Sequence, residues 1–150
     1  MSAARNEGAR QARGEFVAFL DADDVYEPDF LAAVGELGRV RPDLDVLTTD
    51  TRFVVDAAER ETFYAANEFA VDDQRGEILR RCYLTMMSAV RRERLLAIGG
   101  FDSSLTHGED WDFWLRLVIT GSRIGLVDAP LSRYRMGPRQ ATARRADVGR

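Results

Sequence analysis

Residues 16–28 read FVAFLDADDVYEP, five apolar residues running into Asp21, Asp23 and Asp24. Carboxylates this close repel and raise one another's pKa unless a cation sits among them. Hard divalent cations such as Mg²⁺ take oxygen ligands and bind through one or two carboxylates plus substrate phosphates, so one reading is a metal site. The other is a helix start, because Asp24 and Glu27 have capping-box-like spacing and Pro28 suits a first helical turn. Capping does not explain Asp21 and Asp23 together, and on these residues both readings stand. A second acidic cluster, HGEDWDFW, fills 107–114. Glu109, Asp110 and Asp112 at a helix start complement the helix dipole, worth about 0.3–1 kcal/mol. Adjacent helical residues diverge by about 100°, so only some of these acids point the same way. Asp110 shares a face with Trp114, as Trp111 does with Leu115. A carboxylate beside two tryptophans is partly desolvated, which raises its pKa toward the range of a general base. A metal cluster and a base cluster together suit a transfer reaction on a phosphate-bearing donor.

The composition removes other chemistries. All 21 basic residues are arginine, which excludes a lysine Schiff base and the phosphate-loop motif with its lysine. The one histidine, His107, rules out a multi-histidine metal site, so any metal is held by carboxylates. The chain has 150 residues, enough for one domain with a sizeable core, and its 45% apolar and 31% charged residues are ordinary for a globular protein. A net charge of −4 argues against a nucleic-acid partner. No run of 18 apolar residues and no signal-peptide-like start is present, and the single cysteine, Cys82, fits a reducing compartment. The expected location is the cytoplasm, with the inner face of the membrane as the alternative.

The elements that must position the acids follow from periodicity. SAARNEGARQAR (2–13) has helix propensity, and Gly14 stops it before the strand EFVAFL. PDFLAAVGELGRV (28–40) places Phe30, Leu31, Val34, Leu37 and Val40 at helical spacing, and VLTTDTRFVV (46–55) reads as a strand. This strand–helix–strand alternation marks an α/β domain. Residues 56–76 read as an irregular excursion around Phe63 and Tyr64. EILRRCYL (77–84) reads as a short helix with Cys82 facing inward as a small hydrophobe. MMSAVRRERLLAIGGFD (86–102) reads as a strand and a short helix stopped at Gly99-Gly100. EDWDFWLRLVITG (109–121) reads as a helix with Trp111, Trp114, Leu115 and Val118 on one face. RIGLV (123–127) and LSRYRM (131–136) read as two short strands, and the arginine-rich tail 138–150 as disordered. The two acidic clusters, each following a strand or loop, are expected to meet in the crevice where α/β sheets bind ligands.

Two of these segments resemble a known family. ARNEGARQARGEFVAFLDADDVYEPDFL (4–31) resembles the donor-site segment of inverting family 2 glycosyltransferases, which have the GT-A fold. GGFDSSLTHGEDWDFWLRLVITG (99–121) resembles the acceptor segment of that family, and PLSRYR (130–135) the strand that follows. The order and separation of the motifs match, and the resemblance covers roughly residues 3–136. It implies a three-layer α/β/α domain over 1–137 with a mostly parallel mixed sheet, carrying a metal and donor segment (3–31) and an acceptor and base segment (99–121). It implies metal-dependent transfer of a sugar from a nucleotide-diphospho-sugar to an acceptor hydroxyl with inversion, in polysaccharide or glycan biosynthesis. Asp23 stands where the family binds Mg²⁺ or Mn²⁺, with Asp21 beside it toward the metal, ribose or sugar. Arg5, Asn6 and Asp24 fall on the donor side, and Trp111 and Arg135 on the acceptor side. Asp110 stands where the general base stands, with Glu109 as neighbour and substitute. The acceptor would be a sugar, lipid-linked or protein hydroxyl, in a protein associated at most peripherally with a membrane.

The sequence also departs from the family pattern. The family's opening strand and its nucleotide-cradling β/α units have no counterpart before residue 1, so the resemblance leads to the expectation of an N-terminally truncated member. Such a chain would have an unpaired edge at EFVAFL, self-associate through it, and bind donors weakly until an upstream segment is restored. Gly137 stands where many relatives have a histidine after the last strand. Three rivals remain: a glycoside hydrolase with a carboxylate pair but no metal need, a sugar-nucleotide nucleotidyltransferase, and a degenerate fragment without turnover.

Overall fold

Alternation along the strands sorts side chains onto two faces of one sheet, and that sorting sets the layers of the molecule. A computed structural model describes residues 1–137; the tail from Pro138, expected to be disordered, lies outside the described residues. Strands β1 (Phe16–Ala18), β3 (Val46–Val55) and β5 (Ala89–Arg91) lie side by side in the order β1-β5-β3, with β6 (Ile124–Met136) and then β2 (Val25–Tyr26) beyond β3. The neighbours β3 and β6 run parallel, while β5 is antiparallel to both β1 and β3, and β2 to β6. The sheet is mixed, as expected, but its pairings are mostly antiparallel rather than mostly parallel. Val17, Val46 and Val90 face one core, which also takes Ile78 of α4 (Gln74–Arg80), Leu95 of α5 (Arg92–Ala97) and Phe113, Trp114, Leu117 and Val118 of α6 (Glu109–Ile119). Ala9 of α1 (Ser2–Gln11) closes that layer. One residue along each strand, Phe16, Leu47 and Ala89 face the opposite side with Phe30, Val34 and Leu37 of α2 (Phe30–Val40). Period-2 strands between two helical layers give the three-layer mixed α/β architecture.

Several local expectations change. The expected pair of strands after α6 is the single strand β6, whose register against β3 shifts on either side of Asp50, with Pro130 opposite that residue. A proline donates no ladder hydrogen bond, so the irregularity carries the strand through a residue that sequence reasoning treats as a break. The excursion 56–76 contains β4 (Ala58–Thr62), joined to β3 by a tight turn in which Asp56 and Ala57 both have positive φ, and then α3 (Phe63–Ala66). Helix α4 starts at Gln74, where the Asp73 carboxylate accepts from the Gly76 amide, and ends before Cys82. Cys82 is partly buried, and burial pushes its thiol pKa up. On α2, Leu31 is 70% exposed, since the sheet contacts a narrower arc than the apolar residues span.

Candidate active site

Three elements supply the acidic and basic groups: α1 carries Arg5 and Asn6, the turn after β1 carries Asp21, Asp23 and Asp24, and the first turn of α6 carries Glu109 and Asp110. They meet beneath an aromatic cluster. Phe19, just before the aspartates, packs edge-on against Phe101 (5.3 Å) and Phe113 (6.4 Å), which themselves stack at 4.0 Å. Phe113 lies on α6 three residues beyond Asp110, so packing fixes the β1 turn against the start of that helix. Asn6 adds a clamp: its Nδ2 donates to the Phe101 carbonyl and its Oδ1 accepts from the Phe101 amide, both at 2.8 Å. Gly100 makes this approach possible with φ +73°; a Cβ there would lie 2.3 Å from Asn6 Oδ1. Asn6, expected to line the donor pocket, has its amide committed to this loop.

Arg5 joins the two acidic clusters. Its Nη1 donates to Asp110 Oδ1 at 2.8 Å, and its Nη2 donates to both oxygens of Asp21 at 3.0 and 2.9 Å. The side chain is only 7% exposed and lies over the Phe101 ring, 5.4 Å from its centre, while Nε is buried without a partner among the described residues. Burial opposes the guanidinium charge, but Asp110 and Asp21 outweigh it and hold the Arg5 pKa above its ordinary value. Burial raises the Asp110 pKa; Arg5 opposes that rise, and the Glu109 and Asp21 charges add to it.

On the β1 turn, Asp24 is buried and accepts from the Arg135 amide at 3.0 Å. Burial pushes its carboxyl up to about 6, against that hydrogen bond and with help from the charges of Asp23 and Asp21. Asp24 therefore ties the turn to β6 rather than capping α2, whose N-cap is Asp29 without a side-chain hydrogen bond. Glu27 pairs with Arg133 instead, so the capping-box alternative falls. Asp23 is the exposed acid of the turn. Among the described residues, no three His, Cys, Asp or Glu side chains converge into a metal cage. The donor set on the turn is hard carboxylate oxygen, which fits a divalent cation completed by substrate phosphates and water.

The remaining candidates lie further out. Trp111, expected on the buried face with an acceptor role, is 40% exposed and donates from Nε1 to the Ile78 carbonyl at 2.7 Å. The buried face of α6 runs through Phe113, Trp114, Leu117 and Val118. Arg135, expected on the acceptor side, stands beside Asp24 at the turn after β1. Glu109 follows Gly108 and shares the first turn with Asp110. A cavity of about 550 Å³ opens beside the site, lined by Arg5, Phe19, Leu20, Asp21 and Ala22. A larger one, about 750 Å³, lies by Ser122 and Ile124 at the start of β6 and includes none of the site residues. Sequence reasoning did not single out Phe19, Phe101 and Phe113; their one signal was the presence of an aromatic beside each motif.

A family model described as "Glycosyltransferase like family 2" matches residues 1–145. The O-antigen biosynthesis protein RfbC of Myxococcus xanthus is 33% identical over 97% of this chain and 11% of its own length. The uncharacterized glycosyltransferase MJ1057 of Methanocaldococcus jannaschii is 23% identical over 89% of the chain and 46% of its own. The crystal structure of S. aureus TarS 1-349 superposes with a TM-score of 0.66 at 21% identity, covering 89% of this chain and 40% of TarS 1-349. The chain thus spans less than half the length of each of these proteins.

Proposed function

Because the chain belongs to the glycosyltransferase-like family 2, we propose that it transfers a sugar from a nucleotide-diphospho-sugar to an acceptor hydroxyl, with inversion. The observation that carries this reading is the Arg5 bridge, which brings the metal-turn motif and the base motif, 89 residues apart in the chain (Asp21 to Asp110), into one site. The likeness to an O-antigen biosynthesis protein supports a saccharide hydroxyl as acceptor, in polysaccharide assembly.

In this mechanism Asp110 accepts the proton of the attacking hydroxyl. Its 44% exposed carboxylate is open to an incoming acceptor, and partial burial raises its basicity. Asp23, exposed at the tip of the turn, would hold Mg²⁺ or Mn²⁺, with Asp21 contacting the ribose or sugar side while fixed by Arg5. Once bound, the ion supplies Lewis-acid stabilisation of charge on the departing diphosphate. Asp24 holds the turn that presents Asp23. Removing a positioned general base typically lowers turnover by about 10²–10⁴-fold. Consumption of a panel of UDP-, GDP- and dTDP-sugars should therefore require Mg²⁺ or Mn²⁺, stop in chelator, and fall by that factor in Asp110→Asn. Consumption that persists in chelator and in Asp110→Asn would sink the proposal.

A further inference from the structure

We infer that Arg5 is the positioning residue of the base, and that its guanidinium locks the metal turn and the base helix into one geometry. This rests on the transfer reading above. A guanidinium that served the donor would turn its terminal N–H groups to phosphate, but both terminal nitrogens of Arg5 donate to the protein's own carboxylates, and Nε is buried. The Arg5 side chain is nearly sealed from solvent and packed on Phe101, so a phosphate would have to displace charge-assisted bonds made by a buried guanidinium to reach it. The contacts are also unequal. Asp21 is gripped by both oxygens, which fixes its plane, whereas Asp110 is held by Oδ1 alone. Holding one oxygen sets the rotamer of Asp110 and leaves Oδ2 for the acceptor's proton. Only a planar fork reaches two carboxylates from one buried stem; an ammonium is a single point of charge. With Arg5 removed, Asp21 and Asp110 would be two like charges facing a partly desolvated space, and Asp110 would turn away from Asp21.

The test is a double-mutant cycle read in two ways. First, Arg5→Met, Asp110→Asn and the pair are unfolded in urea, with Arg5→Lys as the milder substitute if Arg5→Met does not fold. A bridge makes the double variant less destabilised than the sum of the singles, by roughly tenfold or more in the folding equilibrium constant. Additive losses would overturn the bridge, and this reading needs no substrate. Second, on a nucleotide-sugar that the wild type consumes, Arg5→Lys should lower kcat by at least about tenfold and leave the donor KM within about twofold. Methylguanidinium should restore part of kcat in Arg5→Ala. A raised donor KM at unchanged kcat would overturn the positioning role and make Arg5 a donor contact. Coupling in urea without consumption of any donor would remove the transfer reading, and with it Arg5's role toward a base, leaving a structural clamp.

Discussion

Asp110 occupies the first turn of α6 with Arg5 on one oxygen and Glu109 beside it. Burial raises its pKa, and Glu109 adds to that rise. A general base works only when ionised, so kcat/KM should fall as pH drops through a limb that lies above the ordinary aspartate range. Glu109→Gln removes a like charge and should move this limb to lower pH while keeping turnover; if Glu109 were the base, the same substitution would abolish it. A pH–rate profile of both variants separates the two roles. Asp23 offers a complementary test on the donor side. Mn²⁺ titrated into Asp23→Ala should bind at least about tenfold more weakly than into wild type, because the remaining turn acids are committed to Arg5 and to the Arg135 amide. Equal affinities measured by calorimetry would leave the turn without a metal role.

At the scale of elements, the loop from Gly100 to Asp102 is held to α1 by the two hydrogen bonds of Asn6 and by Arg5 packed over the Phe101 ring. Asn6→Ala would strand the amide and carbonyl of Phe101, a residue 3% exposed, at a combined cost of about 2–4 kcal/mol. Gly100→Ala should cost a similar amount, through its positive φ and the contact with Asn6 Oδ1. Because they share that contact, the two substitutions should combine less than additively in urea unfolding. The sequence announced α2, β3 and α6 through their apolar patterns and α1 through helix propensity, and it announced both acidic motifs. It did not announce β4, because its tight turn is Asp56-Ala57 rather than a glycine-bearing pair. Nor did it reveal that β6 is continuous, since the register shift that admits Pro130 exists only in the pairing with β3. The outward tilt of Trp111 depends on the Ile78 carbonyl of another helix, which no local pattern encodes. The bond from Arg5 to both acid clusters was equally hidden: a sequence shows which charges exist, and packing decides which of them meet.

At the scale of the whole molecule, the sheet ends at β1. Among the described residues this strand pairs with β5 on one side and with nothing on the other. Cavities flank the open edge on both faces of the sheet. One, of about 420 Å³, lies between β1 and α2 and includes Leu31, while the 550 Å³ cavity beside Arg5 and Asp21 lies toward α1. Leu20, at 49% exposure, and Leu31 add apolar surface to unpaired backbone groups, a combination that templates strand addition. We expect the chain to self-associate here, one β1 pairing antiparallel with another across a two-fold axis. Ala18→Lys, at the exposed last residue of the strand, and Leu31→Glu should each shift sedimentation toward the monomer. Leu79→Glu, at an exposed position of α4 that lines neither cavity at this edge, should not. The pairing would also occlude the cavity that Arg5 and Asp21 line. Donor consumption per chain should then fall as protein concentration rises, and Ala18→Lys should remove that dependence. If the wild type sediments as a monomer at every concentration, or Leu79→Glu disperses the assembly as well as Ala18→Lys does, the β1 edge is not the interface.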